Sequence, residues 1–154
     1  MPLDLEAQLP ILIPRATEWA IRLAAEASAT GTYLDPQLVD IARRVGVRHP
    51  ERIRLRVVDK VPLPTDPMLA QAARQVGLAG EGMVGLTLGH VVFVRSGHET
   101  DVRLLSHEFR HVAQYESSGG IAGFLEVHLR HLAAFGYEDA PFEIDARAHE
   151  IGPG

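Results

Sequence analysis

The stretch Ser106-His107-Glu108-Phe109-Arg110-His111-Val112, "SHEFRHV", falls where apolar residues recur at helical spacing: Leu104, Leu105, Phe109, Val112 and Tyr115 supply a packing stripe. A helix over residues 102–116 follows from that periodicity, closed by Ser117-Ser118-Gly119-Gly120. A packing stripe does not require two histidines and a carboxylate on the same arc. Residues four apart on a helix differ by about 40° around the axis and about 6 Å along it, so His107 and His111 project from one face. Both imidazoles can then reach one metal ion, and Glu108 stands beside the position that ligand pair leaves to water. The H-E-x-x-H spacing thus supplies two ligands and a base.

Around this helix the chain divides into short elements. Ala16, Trp19, Ala20, Leu23, Ala24 and Ala27 predict a helix over 14–30, its start set by Pro14 and its end by Gly31. Asp35-Pro36 caps a second helix that stops at Gly46. Over 52–58, Ile53, Leu55 and Val57 alternate with arginines, which predicts a strand with one charged face. Asp66-Pro67 opens a helix over 68–76, and the glycine-rich segment 77–85 is a turn, because it lacks the Gly-Lys-Ser/Thr ending of a phosphate loop. Two strands, 83–88 and 90–95, meet near Gly89; the second, "HVVFVR", is the most β-branched segment of the chain. A helix over 121–135, a turn at 136–139 and a last helix opening at Pro141 complete the chain. The expected fold is α+β: a single domain, 1–154, in which residues 1–50 form a helical extension packed on a core of 51–154. That core has a short antiparallel sheet ahead of the motif helix and is otherwise mostly helical.

Composition narrows the function. With 154 residues, 46% apolar and 23% charged, the chain can bury one core. A net charge of -5 and the absence of a long basic run give no footprint for nucleic acid or an anionic membrane. There is no cysteine, so a metal would be held by His, Asp or Glu alone. The acidic opening Met1-Pro2-Leu3-Asp4-Leu5-Glu6 lacks the positive charge of a secretory signal, and no long uncharged apolar run is present, so a cytoplasmic protein without a membrane span is expected.

A third ligand is needed downstream. Gln114, Tyr115 and Ser117 occupy the positions three, four and six beyond His111, which removes a nearby third histidine. Glu143, one turn into the helix that begins at Pro141, is the leading candidate; its ordinary role would be an acidic residue favoured by the helix dipole. Asp145, Glu150, His149, Glu126, His128 and His131 are reserves. The pair His128 and His131, three apart on one helix, is expected at the surface.

"LLSHEFRHVAQY", residues 104–115, followed some thirty residues later by "PFEIDA", residues 141–146, resembles the zincin metallopeptidases, specifically the small gluzincin-like proteins that combine H-E-x-x-H with a downstream E-x-x-A. The likeness spans residues 84–150. It implies His107, His111 and Glu143 as ligands to one Zn2+ per chain, Glu108 as catalytic base, and Ala146 as the small residue of the second motif. It further implies a peptide or protein substrate laid along "HVVFVR" as the edge strand. Arg147 stands where many gluzincins place an aspartate that braces a histidine, and Asp145 is the substitute at hand. No residue is assigned to the oxyanion; Tyr137, His149 and Tyr115 are candidates. The expected activity is zinc-dependent peptide hydrolysis, and the alternative is a zincin-like domain that binds metal for an interaction or regulatory role without turnover.

Overall fold

A computed structural model describes residues 1–78 and 82–152. Ala79, Gly80 and Glu81, within the glycine-rich turn expected at 77–85, lie outside the described residues. The elements run α1 (Leu5–Ser28), α2 (Pro36–Arg44), a 3-10 turn (Pro50–Arg52), β1 (Arg54–Val58), α3 (Pro67–Val76), β2 (Gly85–Leu88), β3 (Val91–Arg95), α4 (Val102–Ser117), α5 (Ile121–Asp139) and α6 (Pro141–Ala148).

Aspartate opens four of these helices. Asp4, Asp35, Asp66 and Asp101 each accept a backbone N–H from the first turn of α1, α2, α3 and α4, satisfying donors that a helix start leaves free. The cap at Asp4 moves the start of α1 well before residue 14. Pro10 and Pro14 lie inside the helix rather than ahead of it, and the buried Leu9 and Leu12 on this added stretch anchor it against the rest of the molecule.

The sheet is mixed, with strand order β1-β3-β2. β3 pairs in parallel with β1, Leu55 opposite Val92, and antiparallel with β2, Thr87 opposite Val92. This corrects two expectations: the sheet is not purely antiparallel, and "HVVFVR" is the central strand, not the edge. The physical reason is visible in its burial. Val92 and Val94 enter a cluster with Ile41, Leu105, Phe109 and Val112, whereas Val91 and Phe93 enter a second cluster with Ala20, Ala24, Tyr115 and Phe124. A strand covered by helices on both faces is apolar throughout, and an unbroken β-branched run marks that environment. β2 is the edge strand on the side of the motif helix. Gly89, at φ 65°, takes the first position of the two-residue loop joining β2 to β3, a conformation that suits glycine.

On β1 the charged face is engaged within the fold. Arg54 lies 3.7 Å from the centre of the Tyr33 ring and donates to Glu51 O, and Arg56 donates to Thr30 Oγ1. α5 extends past residue 135 but is broken at Gly136, whose φ of 78° and ψ of 172° turn the chain toward α6. Among the described residues no helix is long and apolar enough to cross a membrane.

Phe109 is fully buried between the two histidines in sequence and packs on the sheet side of α4. Phe109→Ala is expected to cost about 3–5 kcal/mol and to lower the melting temperature by roughly 10 °C, measured by urea and thermal denaturation.

Candidate metal centre

α4 has two working faces. Leu105, Phe109 and Val112 pack into the cluster shared with α2 and β3, while His107, Glu108 and His111 turn toward β2 and α6; all six are buried. α6 opens at Pro141, whose fixed φ suits a first helical position, so that Glu143 enters from the first turn with 4% of its surface exposed.

The carboxylate of Glu143 bridges the two imidazoles. Its Oε1 lies 3.3 Å from His107 Nε2 and its Oε2 lies 3.1 Å from His111 Nε2. One ligand atom from each residue can be chosen so that all lie within 4.8 Å of one another. Ligand atoms about 2.0–2.1 Å from a tetrahedral ion stand about 3.3–3.4 Å apart, a spacing near that of each measured contact, although one contact uses Oε1 of Glu143 and the other Oε2. This buried group can hold a metal ion.

The outer nitrogens of the rings decide the direction of the inner ones. His107 Nδ1 donates to Glu150 Oε2 at 2.8 Å, and His111 Nδ1 lies 2.7 Å from Gln114 Oε1. Gln114 has its Nε2 committed to two acceptors, Phe142 O and Asp145 Oδ2, which leaves an oxygen facing His111. An amide oxygen only accepts, so the proton of His111 sits on Nδ1. Both Nε2 lone pairs therefore point at a carboxylate, and a positive centre is required between them: a proton on each ring, or a metal. The titration follows. Burial alone would pull His111 down, but its bond to Glu143 and the charges of Glu143 and Glu108 outweigh it and raise the group to about 9. His107 is raised against the same burial, chiefly by its bond to Glu143. Glu143, which burial alone would raise, is held far below the usual carboxylate range by the three histidines around it.

Glu108 is not part of the three-residue group but lies beside it. Thr87 Oγ1 is 2.9 Å from Glu108 Oε1, and a Cβ at residue 85 would stand 2.9 Å from Glu108 Oε2, so glycine there leaves room for the carboxylate. Residues 85 and 87 alternate with Leu86 and Leu88, which is why both meet the same side chain of α4. Burial raises Glu108 above its ordinary value.

Several residues sit elsewhere than the sequence led one to expect. His128 is not at the surface: it is buried between Phe124 and Phe142, ring centres 5.0 and 5.6 Å away, with Nε2 3.5 Å from Glu143 Oε2. Its burial follows from Gly136, which folds α6 back along α5 and brings Phe142 onto the ring. Glu150 contacts His107 from behind rather than through the inner nitrogen. Asp145 also pairs with Arg110 and reaches His111 only through Gln114, while Arg147 turns to Glu138. Glu126 pairs with Arg130 in solvent, and His131 is half-buried near Phe135. Tyr115 donates to Thr87 O and His149 to Asp145 O, whereas Tyr137 is placed against Glu143 in the same cavity. Gln114 was within reach of sequence reading, three residues from His111 on one helix face; Thr87 and Gly85 depend on strand register, which no local pattern supplies.

Compared with protein-family models, curated proteins and solved structures, the chain matches none of them.

Metal binding must displace the proton from His111, so divalent-metal affinity is expected to rise as pH increases toward about 9 and to level off above it. Calorimetry in buffers of different ionisation enthalpy would detect the released protons. Glu150→Ala, which frees the outer nitrogen of His107, should weaken metal affinity about 10–100-fold, measured by competition with a chromophoric chelator.

Proposed function

We propose that this chain is a zinc-dependent peptidase of the zincin type. The observation that carries the reading is the meeting of His107, His111 and Glu143 in one buried group with Glu108 held alongside, and Glu108, His111 and Glu143 also line one cavity. An all-His/Glu donor set with three protein ligands suits a catalytic zinc, which polarises a carbonyl and lowers the pKa of its water toward about 7.

The chain's own groups supply the rest. Glu108 is anchored by Thr87 and shielded from bulk water, conditions that hold a carboxylate in one orientation and raise its basicity. It takes a proton from the attacking water and passes it to the departing amine. Tyr137 is the leading donor to the developing oxyanion: it lines the cavity beside Glu143, and burial keeps its hydroxyl protonated well above the ordinary range. Tyr115 and His149 are committed to backbone carbonyls. An extended substrate would add to β2, the edge strand, whose first residue lies against Glu108.

Purified protein is expected to carry about one zinc per chain, and His107→Ala to lose it. Glu108→Gln should keep the zinc and slow cleavage of denatured casein about 10²–10⁴-fold. Zinc-loaded wild type that cleaves neither casein nor a peptide library would favour the non-catalytic metal-binding module.

A further inference from the structure

The cavity that has Glu108, His111 and Glu143 at one end continues into an apolar chamber, about 200 Å³ in all. Its far walls come from two helices that the metal chemistry does not use. Leu9, Leu12 and Trp19 of α1 and Leu69, Ala73 and Val76 of α3 all line it. Every described side chain that α1 and α3 present to the chamber is apolar. The two helices are tied together at the rim. Leu3 N donates to Gln75 Oε1 at 2.7 Å, Gln75 Nε2 returns to Leu3 O at 3.0 Å, Gln71 Nε2 reaches Met1 O at 2.8 Å, and Arg15 pairs with Asp66 at 3.3 Å. Both helices lie outside residues 84–150, the part that resembles the zincins, so these two walls are this chain's own, while Leu86, Leu88, Phe124 and Leu125 complete the lining.

Size and chemistry limit what can enter. An apolar cavity of about 150 Å³ stays dry and accepts benzene, so this one has room for a branched aliphatic or single-ring group. An ammonium, guanidinium or carboxylate would lose its hydration there and find no partner on α1 or α3. The polar end is fixed at the metal group, so an apolar group in the chamber would belong to the same molecule whose reacting bond lies beside Glu108.

Resting on the peptidase reading above, we propose that α1 and α3 form the specificity pocket, selecting substrates with leucine, methionine or phenylalanine next to the scissile bond, and that Ala73 sets its depth. Beyond its methyl, Ala73 has no side chain to fill the chamber it lines; a larger residue at 73 would occupy that space from α3, an element that contributes nothing to the metal group.

Trp19 is the only tryptophan, so its emission reports on the chamber directly. Toluene titrated into the metal-free full chain is expected to change Trp19 emission saturably, and Ala73→Phe and Ala16→Leu, filling the chamber from α3 and from α1, should each abolish that response while keeping the zinc content of wild type. In a peptide library the zinc-loaded wild type should favour leucine, methionine or phenylalanine at one position flanking the cut over alanine or charged residues by about 10–100-fold, and Ala73→Phe should shift the preference to alanine or glycine. Absence of toluene binding, or binding that survives both fillings, overturns the pocket while leaving the peptidase reading intact. Toluene binding in a chain that takes up no zinc and cleaves nothing overturns the peptidase reading, and with it the assignment of the chamber to a scissile-bond neighbour.

Discussion

A carboxylate set between two imidazole lone pairs in a water-poor interior is an unstable arrangement unless positive charge lies among them. Glu143 is in that position, 3.3 and 3.1 Å from the inner nitrogens of His107 and His111. The outer nitrogens are already engaged by Glu150 and Gln114, so neither ring can escape by changing tautomer. Gln114 is itself held by Phe142 O and by Asp145, which Arg110 grips. Much of the contact between α4 and α6 therefore serves to aim three atoms at one point.

The sheet explains how the fourth group arrives there. β3 is buried on both faces and fixes β2 beside it, and β2 then offers alternate residues to α4 and to α1. Gly85 and Thr87 fall on the α4 side, one leaving space for Glu108 and the other bonding it. On the opposite side, Leu86 and Leu88 line the cavity that α1 and α3 enclose. One short strand thus meets Glu108 on one face and supplies part of an apolar wall on the other, and the polarity of the cavity changes within the width of a few residues.

What was legible in the sequence was whatever repeats over a few residues. The motif helix, the convergence of His107 with His111, and the first-turn placement of Glu143 after Pro141 all follow from local spacing. The helix α1 extends through Pro10 and Pro14 because the buried Leu9 and Leu12 favour it, a tertiary effect that local proline rules miss. The parallel pairing of β1 with β3 joins segments separated by α3 and β2, and nothing in either strand announces its neighbour. "HVVFVR" did carry a signal, since an unbroken apolar run marks a strand covered on both faces, yet the same residues suit an edge if only their β-propensity is weighed. His128 appeared to be one of a surface pair because its burial depends on Phe142, brought over by a reversal of the chain at Gly136.

That reversal also governs the order in which the cluster can exist. The two imidazoles are neighbours on α4, but Glu143 follows His111 by 32 positions (143 − 111) and is returned to them through α5 and the turn at Gly136. A nascent or partly unfolded chain offers an ion two histidines and no closing carboxylate. Any ion this group can hold would therefore meet its full set of three ligands only once α6 is docked on α4.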